Sequence, residues 1–487
     1  MIPTPTVDWL ALAPTLALLA ASGVALLGSV LVPAPMRRFF CALVVFAGFI
    51  TSGVLAGIVF DETTSGLALI AESFTRDRLG AFSALIIAGA GILTVLVSWG
   101  DNRRDHVGEY YALLAAAGAG MVFFVTASNL MTLFLGLEWF SIALYVLCAM
   151  DTHREASLEA GLKYLIVGAF GSSILLFGSA LVYGATGAIG FSEIAAANPS
   201  DDVLLLAGLA MMIAGLGFKA SAAPFHMWTP DVYQGAPTSV TAFMSAATKV
   251  AALVLTLRLL VVAFPEQDEL WTVAIAVIAI VSLAVGNFAA LVQRDLKRLL
   301  AYSSISHAGF MLIAIASDNE LGARALLYYL IPYGAMSIGS FAVVAARERE
   351  LQAPVTLENL AGLGWERPFL GASLWIFMLG FMGMPFTGGL IGKLYVFAAA
   401  YEAGWWWLIV AGVIATAISL YYYLGVIRAI YFRPAAELRP AIAGGSPPLD
   451  VPLQSAVLLA VGVTIGSFFF VQPLIDLAGK AAASLPF

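Results

Sequence analysis

Cysteine is nearly absent from this chain of 487 residues: there are two, Cys41 and Cys148, and both sit inside apolar runs. That leaves no disulfide framework, no CxxC pair and no thiolate set for an iron–sulfur cluster. Histidine is scarce as well, four in all, with no HExxH and no clustering with carboxylates at ligand spacing, so no metal set emerges. No GxGxxG turn follows a strand and no P-loop occurs, so neither a bound nucleotide nor an electron centre is expected in this chain. Charge is short too. Only 11% of residues are Asp, Glu, Lys or Arg, against about a quarter in a soluble domain. The net charge of −7 excludes the basic field that nucleic acid needs.

What is present is apolar. Hydrophobic residues make up 61% of the chain, and the mean hydropathy is +0.95. The apolar runs are continuous and about 20 residues long, the length of a spanning helix. A transmembrane barrel would alternate apolar and polar residues instead. The fold class is therefore an all-α polytopic membrane protein. Fourteen spans are expected, at about 9–32, 38–60, 79–99, 110–127, 129–149, 161–186, 203–223, 239–262, 271–292, 298–316, 323–346, 369–400, 405–432 and 453–475.

The distribution of basic residues tests that reading, because loops on the cytoplasmic side carry the excess Lys and Arg. With the N-terminus outside, fifteen of the 23 basic residues fall inside, among them Arg37, Arg38, Arg103, Arg104, Arg154, Lys163, Lys297, Arg433 and Arg439. Four fall outside: Arg76, Arg78, Arg324 and Lys480. No Lys or Arg precedes the first span, so it reads as a retained helix rather than a signal peptide. A multi-pass protein of the cell membrane with both termini on the outer side is expected. The longest inner connection, about 347–368, has room for a short surface helix.

Spans 4–8 and 9–13 each number five, so the second set starts from the opposite face and the two would be inverted repeats. Span 7 carries Lys219 and breaks at Pro224; span 12 breaks at Pro385 and carries Lys393. Glu138 in span 5 and His307 in span 10 keep nearly the same spacing as the two lysines. The domains expected are three N-terminal helices over 1–109, a first repeat over 110–262, a second over 263–432, and a C-terminal helix over 433–487.

A charged residue at mid-span costs about 2.5–3.5 kcal/mol on insertion scales and usually has a task. Glu138, Lys219, Lys249 and Lys393 qualify. Glu138 could be a carboxylate that merely ties helices together. Yet burial and a nearby cation pull its proton affinity in opposite directions, which suits a proton carrier, and Lys219 is the natural partner. Lys249 lies about 15 Å into its span, beyond easy snorkelling. His226, just after the first break, and His307 are relay candidates, with a structural hydrogen-bonded role as the alternative. Arg258, near the outer end of span 8, is expected to snorkel. Lys163 opens span 6 and is borderline. His106 and His153 read as solvated loop residues.

The motifs that hold these residues are distinctive: GLEWFSIALYVL around Glu138, GFKASAAPFHMWTPDVYQGAPTSVTAFMSAATK from Gly217 to Lys249, and RDLKRLLAYSSISHAGF from Arg294. Over nearly the whole chain the sequence resembles the antiporter-like membrane subunits of proton-pumping NADH–quinone oxidoreductase, respiratory complex I. It stands closest to their N-type branch, on the phrase PDVYQGAPT, on a lysine at 393 and on an end soon after span 14. Two family features differ: Phe386 stands where a second proline is common, and Leu390 where Phe is common.

The resemblance implies a proton channel. Glu138 and Lys219 would form a pair, Lys249 with His226 and His307 the central relay, and Lys393 the exit. It implies that NADH, FMN, iron–sulfur clusters and quinone bind other subunits. Expected partners are the adjacent antiporter-like subunit M, the small subunits K and J, the lateral helix of subunit L, and the lipid bilayer. The readings that compete with it are a subunit of a Mrp-type sodium/proton antiporter and a structural subunit that does not pump.

Overall fold

The computed structural model describes residues 7–63, 66–70, 72–101, 106–197, 202–432 and 450–487. Arg103, Arg104, Arg433 and Arg439, expected on the inner face, lie outside the described residues, as does the boundary at 433. The elements run α1 (Trp9–Leu31), α2 (Ala34–Glu62), β1 (Leu67–Leu69), β2 (Phe74–Arg76), α3 (Arg78–Ser98), α4 (Val107–Val125), α5 (Leu130–Cys148), α6 (Glu155–Thr186) and α7 (Phe191–Ala197). Then come α8 (Val203–Lys219), α9 (Thr229–Gly235), α10 (Thr238–Phe243), a π-helical turn (Met244–Thr248), α11 (Lys249–Ala263), α12 (Asp268–Leu291), α13 (Leu296–Ala316) and α14 (Glu320–Leu351). The last are α15 (Leu363–Glu366), α16 (Pro368–Met382), α17 (Gly388–Glu402), α18 (Trp406–Phe432), α19 (Val451–Phe469) and α20 (Val471–Ala482).

Among the described residues, twelve spans are long and apolar enough to cross a membrane, α10 to α11 counting as one. Of the broken helices, α16 with α17 occupies the position expected for span 12, and α8 that expected for span 7, with α9 beyond its expected end at 223. The two five-helix sets share two features. The third helix of each, α6 and α14, has 32 residues, and the fourth is interrupted.

Burial divides the helices into a core and a shell. The most enclosed spans are α10 to α11 (94% buried), α13 (94%) and α14 (89%), whereas α1 is 28% buried. Those three carry Lys249, His307 and two of the tyrosines beside it, Tyr329 and Tyr333. The polar axis therefore runs through the centre, and apolar faces of α1, α2, α6, α18 and α19 are left outward, as a lipid-facing shell requires.

Several details depart from the sequence reading. Span 8 contains the π turn, an extra residue that shifts the helix phase just before Lys249. Span 14 ends at Phe469, and the chain continues as the amphipathic helix α20, packed on α14 and α3. A two-stranded antiparallel hairpin, β1–β2, interrupts the all-helical pattern between α2 and α3. The surface helix expected in 347–368 is the single turn α15. Cys41 and Cys148 are buried and unbridged.

Arg258 does not snorkel. It is 3% exposed and makes a two-pronged ion pair with Asp77, itself buried. Asp77 also caps α3 through the Gly80 amide at 2.7 Å. The reason is tertiary: α3 brings a carboxylate within reach of α11, so the guanidinium need not travel to water. At the opposite, arginine-rich end, Arg349 joins α14 to Asp101 at 2.6 Å and to Asp450 before α19. Lys163 is half-exposed there and bridges Glu159 (2.6 Å) and Asp231 (2.8 Å).

Two expectations follow. Arg258→Met strands the Asp77 carboxylate, at a cost of about 3–5 kcal/mol, so thermal unfolding of the detergent-extracted protein should fall more than in the Asp77→Asn/Arg258→Met double variant. In the loop after α13, burial, with help from Asp268, pushes the Asp318 carboxyl up to about 6. The unfolded chain loses that proton first, so stability should drop as pH rises from about 4 to about 6 and stay lower above it. Asp318→Asn should flatten this slope in a pH series of melting curves and change nothing below about pH 4.

Candidate relay site

Both broken helices end in the same way. At the first, Ser221 adopts a left-handed conformation (φ 61°), and the Ala222 amide reaches back to the Gly217 carbonyl at 2.8 Å. At the second, Gly383 (φ 80°) plays that part, and the Met384 amide bonds the Leu379 carbonyl at 3.0 Å. These are Schellman-type C-caps. They still leave carbonyl groups exposed at membrane depth, and the partial negative charge of a helix C-terminus favours a cation.

Lysines supply it. Lys249 Nζ donates to the Ala220 carbonyl at 3.0 Å. Lys393 Nζ donates to the Phe381 and Met382 carbonyls at 3.0 and 3.1 Å, and lies 4.7 Å from the Phe310 ring centroid. Both ammonium groups are buried, as is Lys219.

Lys219 is the last residue of α8, where α5 and α6 converge on it. Its Nζ donates to Ser141 Oγ at 2.7 Å and to Tyr164 OH at 3.0 Å, with the Phe140 ring 4.6 Å away. Tyr164 stacks on Trp228 at 4.5 Å, and the Trp228 indole donates to the Phe218 carbonyl at 3.1 Å, so the break is braced by aromatic rings. No ion pair joins Lys219 to Glu138 among the described residues; Ser141, one turn along α5, takes the ammonium instead. Glu138 Oε1 is buried without a hydrogen-bond partner. It lies on the row of α5 that includes Met131, Leu135 and Ile142, all three exposed. The carboxylate thus sits between the lysine cluster and an outward helix face.

His307 is held at both nitrogens, Nδ1 to Tyr329 OH at 2.8 Å and Nε2 to Tyr423 OH at 3.1 Å. Tyr423 also bonds Ser303. Tyr422 bonds Asn287 at 3.1 Å, and Asn287 bonds Ser306 at 2.9 Å. His226 is not brought into this network. It lies half-buried in the first break with Nδ1 lacking a partner, between the exposed Pro224 and Met227. The Ala223 amide next to the break donates to Ser282 of α12 at 2.8 Å, which fastens the first set of helices to the second.

Sequence reasoning missed the hydroxyls. Ser141 could have been found, three residues from Glu138 and on the same face. Tyr164, Tyr329 and Tyr423 come from other helices and give no local signal. It also missed Lys297, which it counted only among the basic residues of the inner side and which is 2% exposed.

A lysine at each of two broken helices, a third in the neighbouring core helix and a tyrosine-bound histidine define a class: the antiporter-like membrane subunits. A family model described as NADH:quinone oxidoreductase/Mrp antiporter, TM, matches residues 127–419, and the chain belongs to that family. Within it, the chain belongs with NADH-quinone oxidoreductase subunit N. The subunit N of Trichlorobacter lovleyi is 41% identical over 427 residues, covering 86% of this chain and 87% of that protein. That of Granulibacter bethesdensis is 38% identical and covers 98% of this chain and 99% of its own. A chain of respiratory complex I from Thermus thermophilus superposes with a TM-score of 0.80 at 34% identity, over 96% of this chain and 99% of that one. A chain of the Mrp complex from Dietzia sp. DQ12-45-1b reaches 0.84 at 23% identity, over 97% of each, which is a likeness of fold.

Close backbone packing around the second break is itself testable. A Cβ on Gly389 would stand 2.0 Å from the Gly380 carbonyl oxygen, so α16 and α17 touch backbone to backbone. Gly389→Val should destabilise the chain by about 1–3 kcal/mol or more, read as a lower melting temperature of the extracted protein.

Proposed function

We propose that this chain is a proton-translocating membrane subunit of NADH–quinone oxidoreductase, in which Glu138, Lys219, Lys249, His307 and Lys393 carry protons at mid-membrane. The observation that carries this reading is the enclosure of three lysines, 1%, 0% and 4% exposed at Lys219, Lys249 and Lys393, each held by hydroxyls or freed carbonyls. A buried ammonium held only by neutral oxygens is poised to release its proton when its surroundings change.

Glu138 supplies that change. When its carboxylate approaches Lys219, attraction holds the proton; when it turns to the outer face of α5, the lysine keeps only Ser141 and Tyr164. One pKa unit is about 1.4 kcal/mol, and moving a charge through 100 mV takes about 2.3 kcal/mol. A shift of a few units therefore suffices. Lys249 then passes the proton from the first repeat, 110–262, through the tyrosine-bound His307, to Lys393 in the second, 263–432. His226 serves the first break from its edge. Residues 1–109 and 433–487 flank the two repeats.

Quinone reduction in other subunits, which hold the NADH, FMN, iron–sulfur and quinone sites, provides the energy. The outward face of α5 near Glu138 suits a neighbouring membrane subunit, with subunits M, K and J and the lateral helix of L as the partners. The arginine-rich end is the cytoplasmic face of the cell membrane, and both termini lie outside. The Mrp likeness is one of fold at low identity and does not favour sodium/proton exchange.

Lys219→Ala should abolish or sharply reduce NADH-driven proton pumping in membrane vesicles, with the complex still assembled. Full pumping by an assembled Lys219→Ala complex would refute the relay.

A further inference from the structure

At the arginine-rich end a cleft of about 570 Å³ opens between the Met150–Arg154 turn, the start of α10 and the last turns of α14. Asp101, His106 and His153 stand at its rim, and Thr238 and Glu348 line it. These last two are hydrogen-bonded, the Thr238 hydroxyl donating to the Glu348 carboxylate. Behind them is Lys297, the buried lysine that the relay does not use. Its Nζ donates to Thr238 Oγ1 at 3.0 Å and to the Ala236 carbonyl at 2.8 Å, with Glu348 Oε1 3.8 Å away. A carboxylate that touches an aqueous cleft, a hydroxyl and a sealed ammonium thus lie in series.

The series continues inward. Lys297 and Ser304 both belong to α13, about 10 Å apart along its axis. Tyr333 donates to Ser304 at 2.9 Å, and its ring lies 5.3 Å from that of His307. One turn along α14, Ser337 donates to Ser245 at 2.8 Å, and Ser245 is on the π turn that leads into Lys249. Between Glu348 and Ser337, Ser340 presents a buried hydroxyl without a protein partner. Polar groups of this kind are the ones ordered water satisfies.

We propose that Glu348, Thr238 and Lys297 form the inlet by which protons pass from the arginine-rich side to the central relay. In the inward step, protonated Glu348 gives its proton to the Thr238 oxygen as the Thr238 proton passes to neutral Lys297. This leaves a carboxylate, an intact hydroxyl and an ammonium. Lys297 then releases its proton along Ser304 and Tyr333 toward His307 and Lys249. Arg154 and Asp295 are the other charged groups within electrostatic reach of Lys297, one of each sign.

The inlet rests on the relay reading, so the test carries both. Glu348→Gln, Lys297→Met, Glu348→Asp and Lys249→Ala are compared in intact complex in vesicles. The readouts are NADH-driven proton uptake and NADH oxidation by a water-soluble electron acceptor, which reports assembly. Glu348→Gln and Lys297→Met should slow uptake as far as Lys249→Ala does, about tenfold or more, and Glu348→Asp should restore most of it. Loss in Lys249→Ala alone would overturn the inlet and leave the relay standing. No loss in any variant would overturn both. If Lys297→Met fails to assemble, Gln352→Cys at the cleft mouth decides. An impermeant thiol reagent on the arginine-rich side should slow uptake several-fold, and full labelling without slowing would overturn the inlet.

Discussion

Two helix ends buried at membrane depth set the terms for the rest of this structure. A C-terminus carries unbonded carbonyls and partial negative charge, and lipid can satisfy neither. Lys249 and Lys393 bind those carbonyls directly, and Lys219 ends the first of the two helices. The ammonium groups make the breaks tolerable, and the breaks make the ammonium groups tolerable. Removing either partner would leave a buried polar group unmet, which explains why lysine and broken backbone occur together.

That mutual dependence dictates the packing around it. The most enclosed spans, α10 to α11, α13 and α14, hold Lys249 and His307, while Lys219 and Lys393 sit on α8 and α17. Tyrosines and serines from several helices bind polar atoms that would otherwise be orphaned: Ser141 of α5 and Tyr164 of α6 at Lys219, Tyr329 of α14 and Tyr423 of α18 at His307. Small residues let backbones approach where side chains would block closure, most tightly at Gly389 against Gly380. The remaining helices supply an apolar jacket. The Asp77–Arg258 pair pins the N-terminal helices to the core near one face, and the Arg349 pairs do so at the other.

The same arrangement suits function because its hydrogen bonds are exchangeable. Each lysine is held by neutral oxygens rather than locked to a carboxylate, and His307 sits between two phenols. Glu138 is the exception in position: it borders the lysine cluster but lies on a row of α5 residues that faces outward. In the proposed relay, a subunit alongside would change the local field by moving that carboxylate, without entering the bundle.

Hydropathy sufficed for the spans, and Pro224 and Pro385 for the two breaks, because a bilayer forces helices of set length and makes every interruption and intramembrane charge conspicuous. The same cost marked Glu138, Lys219, Lys249 and Lys393 directly in the sequence. Only the tertiary structure decided what those groups touch. Ser141 rather than Glu138 receives Lys219; Arg258 meets Asp77 instead of water; Lys297 is sealed behind Thr238; His226 is left outside the network; and the π turn sets the phase of Lys249. Each of these depends on residues from distant helices meeting in space, and one-dimensional periodicity records which face a residue occupies but not what stands opposite it.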